Sequence, residues 1–279
     1  MRRLGSITVI MALMAGQAFG QTLDRIRETG EMKLGFRTDA APISYLDEDG
    51  EPAGYSPRVC AGVAEDVAAQ LGLEELNATF YPVDVEDRFD AVANGEIDLL
   101  CGAATITLER MEQVSFSTPT YVDGAAVLLP AGEVADLTAM AEKKIGVRAG
   151  TTTETSLERS LEAMNLTADV TAFASHDEGL AAMEAGEIGA YFADQSILFS
   201  MLFKSDAAEG LEVSDQTLTI EKQGLAFARG DVDFQIAVDR AISGLYASGQ
   251  MERIFIETMP GATPGLALRA MHLIAPTIP

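Results

Sequence analysis

The segment Ile97-Asp-Leu-Leu-Cys-Gly-Ala-Ala-Thr-Ile-Thr-Leu-Glu-Arg110 carries the pattern from which the fold and the site are inferred. Its apolar run at 97–101 predicts a short buried strand. Gly-Ala-Ala follows, and these small side chains leave backbone N–H groups open to a ligand. Thr105 then adds a hydroxyl and Arg110 a planar guanidinium, which can bind a carboxylate through two parallel hydrogen bonds. The segment therefore predicts a strand end that binds a carboxylate.

The same residues allow a purely structural interpretation. Thr105 or Thr107 would cap a helix, and Arg110 would pair with Glu109 or Glu112 at the surface. This segment alone leaves both interpretations open.

Strands and helices alternate around this segment, and such alternation predicts a parallel α/β sheet. The predicted strands occupy 31–36, 77–82 and 97–101, and the predicted helices occupy 54–71 and 88–94.

A similar unit recurs later in the chain. The stretch 89–100 resembles 180–191, because in both a helix ends at a glycine and Glu-Ile begins a strand. This internal repeat predicts a second lobe of similar architecture, although a helix–glycine–strand connection can also recur by chance. The expected elements of this second lobe are strands 144–147, 170–173 and 188–192 and helices 153–164 and 176–185.

Extended apolar stretches at 121–129 and 218–228 flank the second unit and predict the two crossings between lobes. A helix at 231–248 would return to the first lobe. The tail from Pro260 lacks periodicity, and we expect it to wrap the surface.

Residues 1–20 have the features of an export signal peptide. Arg2 and Arg3 precede an apolar core, and Ala18-Phe-Gly20 is a cleavage site of small residues. No later apolar run reaches the roughly 20 residues of a membrane helix, so no direct membrane insertion is expected. The formal net charge of −24 argues against nucleic acid or anionic lipid as a partner.

Cys60 and Cys101 are the two cysteines of the chain. Because exported proteins meet oxidising conditions, a disulfide between them is one expectation, and a pair of free buried thiols is the alternative. Neither cysteine has a histidine nearby in sequence, and the two Cys and two His do not fall at zinc-ligand spacing. We therefore expect neither a catalytic cysteine nor a metal site.

Short motifs spread over nearly the whole chain carry a resemblance to a known family. They are Gly35-Phe-Arg, Arg88-Phe-Asp-Ala-Val, Thr105-Ile-Thr-Leu-Glu-Arg110, Val114-Ser-Phe-Ser-Thr-Pro-Thr-Tyr121, Gly150-Thr-Thr-Thr-Glu and Ala193-Asp194. In this order and spacing they resemble the family 3 solute-binding proteins, which feed polar amino acids to ABC transporters. The glutamate/aspartate-binding branch is the most similar.

The resemblance implies a type II periplasmic-binding-protein fold, in which two α/β lobes are joined by two hinge strands. It implies a signal peptide at 1–20, a first lobe built from 21–121 and 222–279, the latter including the C-terminal tail, and a second lobe at 122–221. The implied protein is a periplasmic monomer that delivers an amino acid to a membrane permease, with no cofactor and no catalytic residues.

The family's ligand contacts correspond to nine positions. By resemblance, Arg110, Thr105, Thr152 and the N–H groups around Ala103 would hold the ligand's α-carboxylate, with Thr151 beside them, and Asp194 would hold its ammonium. Arg37, Arg88 and His176 match the positions with which the glutamate/aspartate branch binds a second carboxylate.

Three cationic donors beyond Arg110 favour glutamate or aspartate, because a buried carboxylate without partners costs several kcal/mol. Plain structural alternatives exist for six of the positions. They are helix caps for Thr105, Thr151 and Asp194, with Thr107 and Thr153 as the other capping candidates, surface pairs for Arg110 and for Arg88 with Asp84, and a helix start for His176.

This chain departs from the branch at two positions, because Ala103 and Val85 stand where the branch has serines. In addition, Ala40 stands where other branches have an aromatic residue that stacks over the ligand. These changes predict either a lower affinity or a bulkier ligand, such as glutamine or a glutamate analogue.

Two other classes of function are compatible with the same fold. A periplasmic enzyme, such as a dehydratase acting on a carboxylate, would need a proton-transfer group, and His176 or Glu154 could serve. An orphan sensor or accessory protein would bind a ligand without transporting it.

Overall fold

The computed structural model describes residues 22–205 and 208–277, so the expected signal peptide at 1–20 lies outside the described residues. The strands are β1 Glu31–Phe36, β2 Asp39–Ala40, β3 Ser44–Leu46, β4 Pro52–Ala53, β5 Asn77–Pro82, β6 Leu99–Leu100, β7 Val114–Phe116, β8 Tyr121–Asp123, β9 Ala125–Pro130, β10 Lys144–Arg148, β11 Asp169–Phe173, β12 Ala190–Asp194, β13 Leu211–Val213, β14 Glu221–Gln223 and β15 Ala226–Ala228. The α-helices are α1 Thr22–Thr29, α2 Tyr55–Leu71, α3 Arg88–Ala93, α4 Leu137–Met140, α5 Thr152–Ala163, α6 His176–Glu184, α7 Gln195–Lys204, α8 Val232–Ala247, α9 Gln250–Thr258 and α10 Leu266–Ile274.

The first lobe is built on a sheet with the strand order β5-β1-β6-β15-β7. β1 pairs in parallel with β5 and β6, whereas β15 is antiparallel to both β6 and β7. Helices α2, α8 and α9 contribute buried residues such as Val63, Val238 and Phe255 to the core of this lobe.

The second lobe repeats this plan with the order β11-β10-β12-β9-β13. β10 is parallel to β11 and β12, and β9 and β13 add the antiparallel strands. The internal sequence repeat corresponds to the same helix–glycine–strand connection in both lobes. Gly95 after α3 and Gly186 after α6 have φ of 73° and 69°. A left-handed glycine of this kind ends a helix without steric cost and turns the chain into the next strand. The two-lobed α/β architecture is therefore confirmed.

Two short antiparallel strands connect the sheets. β8 carries the chain towards the second sheet, β14 brings it back, and Glu221 lies opposite Asp123 in their register. These crossings fall within the two apolar stretches that predicted them. The lobe boundaries at 121 and 221 stay a prediction.

Two sequence expectations need correction. The strand predicted at 97–101 is shorter than expected, with the bounds Leu99–Leu100, although the backbone N–H groups of Asp98 and Cys101 on either side still donate to the carbonyls of Lys33 and Gly35 in β1. The tail from Pro260 contains the helix α10, which buries Leu268 and Met271 and lies against β8, and α9 precedes it.

The cysteines form a disulfide between Cys60 of α2 and Cys101, whose Cα atoms are 6.1 Å apart. The disulfide, and not the pair of free thiols, is therefore confirmed. The bond fixes α2 to the chain immediately before Gly102 and Ala103, where the predicted site begins. Among the described helices, none combines the length and apolar character that a membrane crossing requires.

Candidate functional site

A cavity lies between the two lobes, and all nine predicted ligand-binding residues line it. The lining consists of Arg37, Arg88, Ala103, Thr105, Arg110, Arg148, Thr151, Thr152, Thr153, His176, Ala193, Asp194 and Ile197. Most follow the carboxyl ends of the parallel strands β1, β6, β10, β11 and β12, which is where ligands bind in open α/β sheets. The structure thus brings the predicted residues together, although their role in binding stays a prediction.

Arg88 and Arg110 form the part of the lining with the least compensated positive charge. Their guanidinium carbons lie 4.6 and 5.0 Å from the centre of the Phe89 ring, so both cations interact with the same aromatic ring. Arg88 donates from Nη1 to the Val85 carbonyl, and Arg110 Nη1 donates to the Thr105 carbonyl at 2.9 Å. Among residues 22–205 and 208–277, neither arginine forms an ion pair.

The burial of Arg88 makes its charge unfavourable without an anion. Arg88 is only 2% exposed, and its Nε has no hydrogen-bond partner among the described residues. Burial, followed by the charges of Arg110 and Arg37, lowers the pKa of Arg88. Since a guanidinium stays protonated in proteins, this group instead favours a bound carboxylate. The surface pair with Asp84 is therefore wrong, because Arg88 is buried.

Arg37 is already paired with an acid of the chain. Arg37 donates from Nε at 3.0 Å and from Nη2 at 2.6 Å to Asp39 Oδ1, and Arg148 Nε donates to Asp39 Oδ2 at 3.0 Å. Burial alone would raise the pKa of Asp39, but the charge of Arg37 and the hydrogen bonds from Arg148 and Arg37 lower it to about 2. Asp39 is therefore an anion held between the two lobes.

His176 begins α6, as its structural alternative proposed, and it also lines the cavity. Its Nδ1 lies 3.1 Å from the Tyr191 hydroxyl oxygen, and its Nε2 has no partner among the described residues. Burial and the charge of Arg37 lower the pKa of His176 to about 3, so the imidazole is neutral. A neutral ring whose Nδ1 accepts the Tyr191 hydroxyl proton can donate one hydrogen bond from Nε2 to a ligand.

Glu221 of β14 occupies the two threonine hydroxyls that were predicted to hold a carboxylate. Thr105 Oγ1 donates to Glu221 Oε2 at 2.6 Å, and Thr152 Oγ1 donates to the same oxygen at 2.9 Å. A hydroxyl has a single proton to donate. Towards a ligand these oxygens therefore act as acceptors, which suits an ammonium better than a carboxylate.

Asp194 ends β12 and lines the cavity. Its Oδ2 accepts from Gln223 Nε2 at 2.7 Å, and its Oδ1 lies 3.4 Å from the Thr153 hydroxyl. Burial, with the charges of Asp123 and Glu221, raises the pKa of Asp194 to about 8. Asp194 has the N-cap position of α7 but makes no side-chain capping bond, so its carboxyl is turned to the cavity instead.

Helix capping and a place in the cavity are compatible at Thr151. Its Oγ1 accepts the N–H of Glu154 at 3.2 Å and so caps α5, while the residue still lines the cavity. Arg110 follows a similar pattern, because Thr107 Oγ1 accepts its backbone N–H and its side chain stays in the cavity.

Sequence reasoning missed Arg148, Asp39 and Glu221. Arg148 lines the cavity, and its Nη1 also donates to Glu86 Oε1 at 3.2 Å. The position of Arg148 at a strand end two residues before Gly150 was a usable signal, since the same kind of strand end drew attention to Arg110. A second cavity, between α7 and α10 behind the hinge, is lined largely by apolar side chains such as Phe199 and Leu266 and does not include the arginines.

Comparisons with known proteins agree with this geometry. The model of the family described as bacterial extracellular solute-binding proteins, family 3, matches residues 32–257. An L-glutamate/L-aspartate-binding protein from Pseudomonas aeruginosa is 31% identical over 94% of this chain and 90% of its own length.

Solved structures show the same fold at lower identity. A substrate-binding protein of an ABC uptake transporter from Streptococcus pneumoniae, with bound histidine, has a TM-score of 0.77 and 19% identity, covering 86% of this chain and 96% of that one. An ancestral amino-acid-binding protein described as a precursor of cyclohexadienyl dehydratase has a TM-score of 0.73 and 22% identity, covering 85% and 98%. The type II periplasmic-binding-protein fold is thereby confirmed. The chain belongs to family 3 of the bacterial extracellular solute-binding proteins.

Proposed function

We propose that this chain captures an acidic L-amino acid, glutamate or aspartate, in the cavity between its lobes and delivers it to an ABC permease from the periplasm. The observation that carries the proposal is the pair Arg88 and Arg110, two largely buried guanidinium groups in one cavity with no acid of the described chain paired to them. An acidic amino acid supplies one carboxylate for each.

The ligand's orientation follows from the remaining groups. Its α-carboxylate binds Arg110, its second carboxylate binds Arg88 and the Nε2 of His176, and its ammonium faces Asp194 with the hydroxyl oxygens of Thr105 and Thr152. Because these groups come from both lobes, the ligand makes its full set of contacts only when the lobes are closed. That difference in contacts is what drives closure.

The Pseudomonas aeruginosa relative, named for glutamate and aspartate, supports an acidic ligand. The precursor of a dehydratase among the structural neighbours is the observation that favours the alternative, an enzyme on this fold. Neither candidate proton-transfer group suits an enzyme. His176 is a poor base at a pKa of about 3, and Glu154 accepts a hydrogen bond from the backbone N–H of Gly150. A binding protein that is not an enzyme is the better fit.

Calorimetric titration with L-glutamate, L-aspartate, L-glutamine and glutarate tests the proposal. We expect micromolar binding, about −8 kcal/mol, for one of the two acidic amino acids, with weaker binding of glutamine, which lacks the second carboxylate, and of glutarate, which lacks the ammonium. Equal affinity for glutamate and glutamine would contradict the assignment of Arg88. Mass spectrometry of the ligand after long incubation separates binding from turnover, and a changed mass would favour the enzyme.

A further inference from the structure

Asp39 places a negative charge between two arginines of the cleft. Arg37, which is 2% exposed, comes from the first lobe, and Arg148, which is 5% exposed, comes from the second. Both bind the carboxylate of Asp39, Arg37 through Oδ1 and Arg148 through Oδ2. Two buried guanidinium groups, one from each lobe, therefore share a single carboxylate of the chain.

This carboxylate is held in a fixed position. Asp39 belongs to β2, which pairs with β3, and the adjoining Arg37 exchanges hydrogen bonds of 3.0 Å with the Ser44 hydroxyl through its backbone N–H and carbonyl. Arg148 is also fixed from its own side, because its Nη1 donates to the carbonyl of Ala149 at 3.1 Å. Backbone elements thus help to position all three charged groups, and Arg148 has an additional contact with the exposed Glu86.

The ion pairs divide the four arginines of the cavity into two sets. Arg37 and Arg148 have Asp39, whereas Arg88 and Arg110 have no acid paired with them among the described residues. A ligand with two carboxylates matches the second set. A ligand with one more negative charge finds no arginine left for it and meets the charge of Asp39.

We propose that Asp39 is an internal counter-anion that sets the charge of the ligand, because it uses Arg37 and Arg148 and so limits the cleft to ligands with two anionic charges. This inference rests on the proposed function, since it presupposes an anionic ligand on Arg88 and Arg110. Asp39 acts through the two arginines and is therefore a positioning residue, not a ligand contact.

The first test compares Asp39→Asn with wild type for two ligands, L-glutamate and O-phospho-L-serine. The phosphate of the second ligand carries close to two negative charges near neutral pH, one more than the side-chain carboxylate of glutamate. Removing the charge of Asp39 frees two buried cations, so we expect the affinity ratio to shift towards O-phospho-L-serine by about tenfold or more. A fall of both affinities by the same factor would show a merely structural role and overturn the proposal.

Glu86→Gln is the matched control. Glu86 also accepts from Arg148, but its side chain is 61% exposed. Solvent screens such a pair, so we expect the ratio to change little. A shift as large as that of Asp39→Asn would contradict a special role for Asp39.

A second test needs no amino acid. Asp39→Ala leaves a gap between two guanidinium groups that acetate can fill, so acetate should raise the melting temperature of this variant relative to chloride at the same ionic strength. Acetate should not raise the melting temperature of the wild type or of Asp39→Ala combined with Arg148→Met. If Asp39→Ala folds only in acetate, that result also supports the proposal. If acetate has no specific effect on Asp39→Ala, the proposal is overturned.

The two tests keep the inference and the proposed function apart. A wild-type protein that binds no acidic amino acid refutes the proposed function. The acetate measurement still reports whether Asp39 acts as a replaceable anion between Arg37 and Arg148.

Discussion

Ligand binding should become stronger as the pH rises towards 8, and Asp194 is the reason. Burial and the neighbouring charges of Asp123 and Glu221 raise the pKa of Asp194 to about 8, so most Asp194 carboxyls are protonated at neutral pH. The ammonium of an amino acid is attracted only to the ionised form. Binding must therefore displace a proton.

The size of the effect follows from linkage. With a pKa of about 8 in the free cleft, about nine tenths of the Asp194 carboxyls hold a proton at pH 7 and nearly all do at pH 6, so the association constant should rise about tenfold between pH 6 and 7. His176 does not titrate in this window, because its pKa lies at about 3. The stability of the free protein changes with pH in the opposite direction. Because the pKa of this carboxyl is raised in the folded state, its contribution to the free energy of unfolding falls as the pH rises from about 4 to 8.

Isothermal titration with glutamate at several pH values measures the effect directly. Release of nearly one proton also makes the observed enthalpy differ between phosphate and Tris buffers by nearly the full difference in their ionisation enthalpies. Asp194→Asn is the control, since it should bind more weakly and lose the pH dependence. An association constant that is flat or falls between pH 6 and 8 would refute the reasoning.

The other predictions concern single contacts. Arg88→Met should weaken glutamate by about 10- to 100-fold in calorimetry, since hydrogen bonds to charged groups contribute about 1.5–3 kcal/mol, and should affect glutamine far less; Arg58→Met, at an exposed ion pair, is the control that should change neither. Arg148→Met removes an ion pair that joins the two lobes, so it should weaken the binding of glutamate and glutamine by similar factors and increase the radius of gyration in X-ray scattering. A loss confined to glutamate would instead make Arg148 a ligand contact. Replacing Cys60 and Cys101 with alanine opens a loop with a sequence separation of 41, which should lower the free energy of unfolding by about 4 kcal/mol in denaturant titration, and no change would contradict the loop-entropy argument.

The two-lobed fold was predictable because its signals are local. Helix–glycine–strand joints and apolar runs mark the repeated unit, and Gly95 and Gly186 adopt the left-handed conformation that the pattern implies. The helix α10 was missed because the tail from Pro260 was judged to lack periodicity; the prolines of this tail, Pro264 and Pro276, lie outside the two ends of the helix. The strand at 97–101 was predicted too long because apolar character locates a buried segment but does not fix where its regular pairing begins and ends.

The site was predictable only in part. Residues at strand ends with small neighbours, such as Arg110 and Asp194, stand out in sequence, and the structure has them in one cavity. The pairing of Asp39 with Arg148 connects positions 109 residues apart and depends on how the lobes meet. Likewise, the contact of Glu221 with Thr105 becomes visible only once β14 lies beside the cavity. Charge pairing across a cleft is a tertiary property, and a single sequence does not reveal it.

The central claim is that one acidic amino acid is held between Arg110 of the first lobe and Asp194 of the second. A crystal structure of the protein grown with L-glutamate tests this most directly. We expect the α-carboxylate within hydrogen-bond distance of Arg110, the ammonium at Asp194 and the second carboxylate at Arg88. Glutamate bound elsewhere, for example in the apolar cavity behind the hinge, or bound with its ammonium away from Asp194, would contradict it.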